Sequence, residues 1–344
     1  MKTYRKALTS MAGVLGAMAI WELGSSWWEV CKAERGYDYW RTYYDPATLE
    51  RSDRIRQSYA LRSTGVTLHL DCYPGPQADS PVVIFNHGAA GYCRILMDFA
   101  LLFNAKGYTV IMPDQRSQGL SGGRRGDYAA SECVQNIVDV AQWAKTRFPG
   151  PLFMAGGSMG GALTYYAAAE GAPVEAIACL NLFDFGNGMD SLEISWMAPL
   201  NDYPALRKLL LHAFGLIRPL HWLRLPFDWF GHFGQLMDAR DAEFQKQWDA
   251  DPVPPRLVTL RSLFSFLNTS PAVPFEENQF PVLVINQGRD RMTDPAITRR
   301  NYERLGGEKE YLEIPFGHWS NQPEFRESIV QACDHWFRKH SPLA

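Results

Sequence analysis

From about residue 58 onward, short apolar runs rich in β-branched residues alternate with stretches of helical length, and this rhythm limits the fold more than any other feature. The runs are Pro81–Asn86, Tyr108–Pro113, Pro151–Ala155, Ala176–Phe183, Pro281–Asn286 and Glu310–Ile314. Few polar residues interrupt them, as expected of strands covered on both faces. Between them lie Ile95–Lys106, Ser131–Arg147, Met159–Ala169, Pro295–Leu305 and Glu324–Arg338, each long enough for a helix. Such alternation predicts the α/β class, a mostly parallel, doubly wound sheet of about eight strands. Gln57–Cys72 reads as a leading antiparallel hairpin at one edge.

The rhythm breaks between Asp184 and Phe280, where Trp196, Phe214, Trp222, Phe230 and Trp248 are scattered among prolines. This span lacks strand-like runs and is expected to be helical, inserted after one core strand and before the next. The predicted organisation is therefore an apolar N-terminal helix with its connector (1–57), a core in two pieces (58–185 and 281–344), and a helical cap (186–280).

With 46% hydrophobic residues in 344, the chain can bury a sizeable core. A net charge of −3 and the lack of a basic run exclude a nucleic-acid partner on electrostatic grounds. The six cysteines (Cys31, Cys72, Cys93, Cys133, Cys179 and Cys333) lie far apart, without the pairing of a zinc site or a disulfide scaffold. Most are expected to be reduced or buried thiols. No G-x-G-x-x-G follows a strand, so a dinucleotide site is not supported. Neither a metal nor an organic cofactor is expected.

The N-terminus carries Lys2, Arg5 and Lys6 ahead of an uncharged stretch from Ala7 to Trp21, with Glu22 and then Trp27 and Trp28 behind it. Fifteen uncharged residues suit a signal-peptide core and fall short of the roughly 20 that span a bilayer. Three readings stay open: a cleaved export signal, a membrane-associating segment over residues 7–28, and a helix docked on the chain's own body. Membrane association or export is favoured over a cytoplasmic location.

Gly-x-Ser-x-Gly occurs twice. Gly156-Gly157-Ser158-Met159-Gly160 follows a strand-like run and leads into a helix-like one, whereas Gly119-Leu120-Ser121-Gly122-Gly123 lies in a loop. A serine on a tight strand-to-helix turn is presented above the sheet near a helix N-terminus, where amides and the helix dipole favour negative charge. Its neighbours must be small. Ser158 is thus the candidate nucleophile, with a helix N-cap as the alternative, and Ser121 reads as a loop residue.

Serine needs a general base within hydrogen-bonding reach. Of eight histidines, His318 alone stands in a short turn after a late strand. The acid that would orient its ring is Asp290, in the loop opening at the end of Pro281–Asn286, with Asp184 and Asp294 as alternatives. Asp294 precedes Pro295 and suits an N-cap. Asn86-His87-Gly88-Ala89-Ala90-Gly91 follows a strand and is small enough for backbone amides to approach a substrate carbonyl. The amides of Ala89 and Met159 are the candidate oxyanion donors.

Together Asn86-His87-Gly88, Asp114-Gln115-Arg116-Ser117-Gln118-Gly119-Leu120-Ser121, the Ser158 turn, Gly288-x-Asp290 and Gly317-His318 resemble the α/β hydrolases in order and spacing. The chain is most similar to the group holding monoacylglycerol lipases, lysophospholipases and related esterases, sometimes labelled serine aminopeptidase-like. The resemblance covers about residues 58–340. One departure is that Ser117 and Gln118 stand where that group commonly has Gly and His. The resemblance implies a serine hydrolase cleaving carboxylic esters through an acyl-enzyme. The aromatic cap points to an apolar acyl or aromatic small-molecule substrate. Amide or peptide, lactone, thioester and carbon–carbon bond cleavage by the same residues remain open, as does a non-catalytic protein of this fold.

Overall fold

A computed structural model describes residues 2–187 and 190–341; Met1, Gly188, Met189 and 342–344, at edges of the expected segments, lie outside the described residues. A long helix, α1 (Lys2–Arg35), and a shorter one, α2 (Pro46–Ile55), precede an antiparallel hairpin of β1 (Gln57–Ser63) and β2 (Val66–Tyr73). The alternating part then runs β3 (Val82–Asn86), α3 (Met97–Ala105), β4 (Thr109–Pro113), α4 (Ala130–Arg147), β5 (Leu152–Gly157), α5 (Met159–Ala169) and β6 (Ala176–Leu180). After an excursion described below, β9 (Val282–Gln287), α10 (Pro295–Arg304), β10 (Lys309–Ile314) and α11 (Pro323–Lys339) complete the core. Every strand and helix expected from the rhythm is present, with ends moved by a few residues.

The eight strands form one sheet in the order β1-β2-β4-β3-β5-β6-β9-β10, parallel from β4 to β10 and antiparallel where β2 meets its neighbours. All residues of β3, β4, β5, β6 and β9 are buried. Because side chains alternate along a strand, each strand feeds two cores. Val82 and Ile84 pack with Ile137, Val140 and Leu163 of α4 and α5, while Val83 and Phe85 pack with Phe99, Phe103, Ile329 and Trp336 of α3 and α11. Each such side chain contributes about 1.5–3 kcal/mol by leaving water, which is why the polar sites cluster at the strand ends.

The excursion between β6 and β9 contains α6 (Asp190–Glu193), α7 (Pro204–Leu216), α8 (Ala242–Ala250), α9 (Leu260–Phe266) and several single turns. It also contains two strands the sequence reading does not foresee. β7 (Arg224–Pro226) and β8 (Leu257–Thr259) pair antiparallel as a separate ribbon. Three-residue strands are too short to show a period, which is why the pattern missed them. All six cysteines are free, and five are buried.

Candidate active site

Strand β5 delivers the chain to Ser158 and α5 carries it away, so the residue sits at a tight strand-to-helix turn. Its φ of 56° and ψ of −127° are strained for a side chain with a Cβ. Three hydrogen bonds hold it: Ser158 N–H donates to Leu180 O (2.8 Å), and Ser158 O accepts from Gly161 N–H (2.9 Å) and Ala162 N–H (3.2 Å). The turn closes only because its neighbours are small. A Cβ on Gly160 would lie 2.3 Å from Asn86 O, and one on Gly156 would lie 2.4 Å from Gly160 O. The Ser158 side chain makes no capping bond to α5. Ser121 stays in a loop, its hydroxyl donating to Asp114 O (2.6 Å) and accepting from His69 N–H (2.9 Å).

Loops after β9 and β10 bring Asp290 and His318 together. His318 Nδ1 lies 2.6 Å from Asp290 Oδ2, with both side chains buried. Asp290 Oδ1 accepts the amides of Met292 (2.9 Å) and Thr293 (2.8 Å), and Asn181 Nδ2 reaches Oδ2 at 3.3 Å. The other two carboxylates have different work. Asp294 caps α10 by accepting from Ala296 N–H, and Asp184 binds Arg304, Tyr166 and Gly186. The His318 loop is clamped by the excursion: Trp319 N–H bonds to Leu236 O, and Asp241 accepts from the Ser320 hydroxyl and the Asn321 amide. Nothing in the sequence marks Asp241, Leu236 or Asn181 for this, because each acts across a long loop.

Ala89 belongs to the loop after β3, beside the turn that carries Ser158: a Cβ on the adjacent Gly88 would lie 3.1 Å from Ser158 Cβ. No acceptor among the described residues takes the amide of Ala89 or of Met159. His87 fixes this loop. Its Nδ1–H donates to Gly88 O (2.8 Å), its Nε2 accepts from Gln115 N–H (2.9 Å), and Gln115 Nε2 in turn donates to His87 O. Burial pushes its pKa down, against the opposing charge of Asp114, so the ring stays neutral. Ser117 has a φ of 64°, a conformation glycine adopts freely.

Two apolar spaces meet at Ser158. The larger, about 720 Å³, is walled by Phe183, Phe185, Ile194, Trp196, Leu210 and Phe266 among others, and among the described residues Arg207 is its one charged lining residue. The smaller, about 60 Å³, is lined by His318, Trp319, Leu236, Phe244, Trp248 and Tyr43. His318 lines only the smaller, while Ser158 and Ala89 line both. Tyr43 comes from the segment before the core. Its ring meets Phe244 edge-on at 5.4 Å and its hydroxyl donates to Asp251 (3.0 Å).

His69, Cys93 and Asp114 come within 4.8 Å of one another, but their donors are engaged. Both Asp114 oxygens accept backbone amides, His69 Nε2 is held by Asp71, and burial together with the Asp114 charge keeps the Cys93 thiol protonated. The cluster does not suit a cation.

Residues 77–318 match the family described as serine aminopeptidase, S33. An uncharacterised 31.7 kDa Escherichia coli protein from the traX-finO intergenic region is 24% identical over 275 residues, covering 76% of this chain and 91% of its own length. The fold is similar to that of a monoacylglycerol lipase from Paleococcus ferrophilus (TM-score 0.61, 21% identity, 80% of this chain and 99% of that one). It is also similar to that of a soluble variant of the Saccharomyces cerevisiae monoglyceride lipase bound to a substrate analogue (TM-score 0.64, 16% identity, 83% and 96%).

Proposed function

The chain belongs to the serine aminopeptidase S33 family of α/β hydrolases, and from that membership we propose that it hydrolyses carboxylic esters of apolar acids through a covalent acyl-enzyme. Ser158 Oγ attacks the ester carbonyl while His318 Nε2 takes its proton. Asp290 holds the ring by its 2.6 Å bond to Nδ1 and stabilises the imidazolium. Negative charge on the carbonyl oxygen develops against the amides of Ala89 and Met159, each such donor being worth on the order of 10²–10³ in rate. His318 returns the proton to the departing alcohol. Water then attacks the acyl-enzyme by the same relay and frees the acid.

The observation that carries the substrate class is the 720 Å³ apolar space opening onto Ser158. It has the size and chemistry for a fatty-acyl or aryl-acyl group. No carboxylate lines either space among the described residues, so a peptide's α-ammonium would find no anchor; this favours an ester over an aminopeptidase substrate. Because His318 must reach the leaving oxygen and lines only the smaller space, the alcohol belongs there and the acyl chain in the larger.

A fluorophosphonate probe together with a p-nitrophenyl ester chain-length series tests the proposal. Labelling and turnover should both vanish in Ser158→Ala, with turnover in the wild type rising with acyl length. Turnover that survives in Ser158→Ala, or confinement to acetyl esters, would overturn it.

A further inference from the structure

Helix α1 is inverted. Glu22, Ser25, Ser26, Glu29 and Ala33, spaced three and four apart, share the face turned toward the body of the protein. Glu22 is only 2% exposed and is held by Arg124 and Arg224. Arg224, fully buried in β7, also holds Glu29 and donates to the Ser25 hydroxyl (2.9 Å). Burial pushes the Glu29 carboxyl up, and Arg224 opposes that shift.

The opposite face is apolar and open. Ile20, Leu23, Gly24, Trp27 and Trp28 fall at i, i+3, i+4, i+7 and i+8, and the four large side chains are 61–74% exposed. A water-facing helix normally presents the reverse arrangement. Burying the Glu22 carboxylate and half-burying that of Glu29 to aim two tryptophans outward is costly unless that face meets something other than water.

We infer that the outward face of α1 docks on an anionic lipid surface, lying in the headgroup layer while its polar face stays tied to Arg224. Tryptophan is the side chain best suited to that depth, with an apolar ring and a polar N–H. Charge agrees: residues 2–21 include Lys2, Arg5 and Lys6 and no acid. The cap adds to it. Leu206, Leu209, Leu210 and Leu216 of α7 are also exposed, Arg207 and Lys208 lie among them, and no acid occurs between Asp202 and Asp228. Leu210 also lines the large cavity, so a lipid contact at α7 would lie against its wall. Among the described residues no helix is long and apolar enough to cross a membrane, which fits lying on the surface.

The test is flotation of the full chain with vesicles of phosphatidylcholine alone and of an equimolar mixture with phosphatidylglycerol, alongside light scattering without lipid. The wild type should float with the anionic vesicles and less with the neutral ones. Trp27→Ser/Trp28→Ser, on an exposed face and checked for an unchanged melting temperature, should lower the partition at least about tenfold. Raised salt should weaken the wild type's binding as it screens the cations. Flotation undiminished in the double variant, no flotation with either vesicle, or a wild-type dimer that the variant converts to monomer without any vesicle binding would each overturn the inference. None of these readouts depends on catalysis, so they stand or fall apart from the esterase assignment.

Discussion

His318 and Asp290 meet at 2.6 Å, Nδ1 to Oδ2, while the other oxygen of the same carboxylate takes the amides of Met292 and Thr293. The carboxylate is thus held by backbone amides where it meets the ring, an arrangement that favours the tautomer with its proton on Nδ1, as the proposed role of Nε2 as base requires.

Asp290→Asn should therefore leave the fold intact and lower kcat on the order of 10⁴-fold, with little change in KM, because the amide no longer selects that tautomer. Asp294→Asn should leave kcat near the wild-type value, since Asp294 only caps α10 and asparagine caps nearly as well. Steady-state kinetics on one ester separates the two. Comparable losses in both variants would remove Asp290 from its role.

His87 gives a pH dependence of stability whose sign is fixed. Burial lowers its folded pKa below the ordinary value near 6.5, so on acidification the unfolded chain takes up a proton that the folded chain refuses. Its contribution is full above about pH 6.5 and is lost as the pH falls below that value. The melting temperature should drop between pH 7.5 and 5.5, and His87→Asn should show a shallower drop even if it starts lower. Equal slopes would place the proton uptake elsewhere.

Arg224→Ala should destabilise the protein by roughly 3 kcal/mol, because it strands the carboxylates of buried Glu22 and half-buried Glu29, although Arg124 still reaches Glu22. Adding Glu22→Leu and Glu29→Leu should recover much of that loss by removing the unpaired charges. Urea unfolding midpoints of the single and triple variants measure this. A single variant as stable as wild type would mean that α1 is not held through Arg224.

Tyr43 narrows the space assigned to the alcohol. Tyr43→Ala should shift the ratio of kcat/KM for benzyl over ethyl esters of one acid by about tenfold or more toward benzyl, a filled pocket being worth about 1–3 kcal/mol per group removed. Tyr43→Phe, which keeps the ring against Phe244 and loses only the bond to Asp251, should leave the ratio close to wild type. Acyl-length preference should not move in either variant. A ratio that responds to the acyl group instead would reverse the assignment of the two spaces.

The core, and the places where the candidate site residues stand, were legible in the chain because both obey local rules. Runs such as Pro81–Asn86 and Pro281–Asn286 read as buried strands because side chains alternate and both faces are covered. Ser158, Asp290 and His318 each stand just past a core strand, where the alternation itself locates them. The steric need for Gly156 and Gly160 is likewise written into the motif.

What tertiary structure decided is what depends on contacts between distant segments. Sequence favoured Asp290 over Asp184 and Asp294, but only the folded chain sets Asp290 against His318 and bonds the other two elsewhere. It also decides that the loop carrying Ala89 is braced by His87 against Gln115, and that Tyr43, more than a hundred positions before Ser158, helps shape its pocket. For α1, hydropathy order along the chain suggests an apolar helix but not which face looks outward. That is seen only in the folded chain, where Arg224, some two hundred residues away, holds Glu22 and Glu29 and so turns the tryptophans outward.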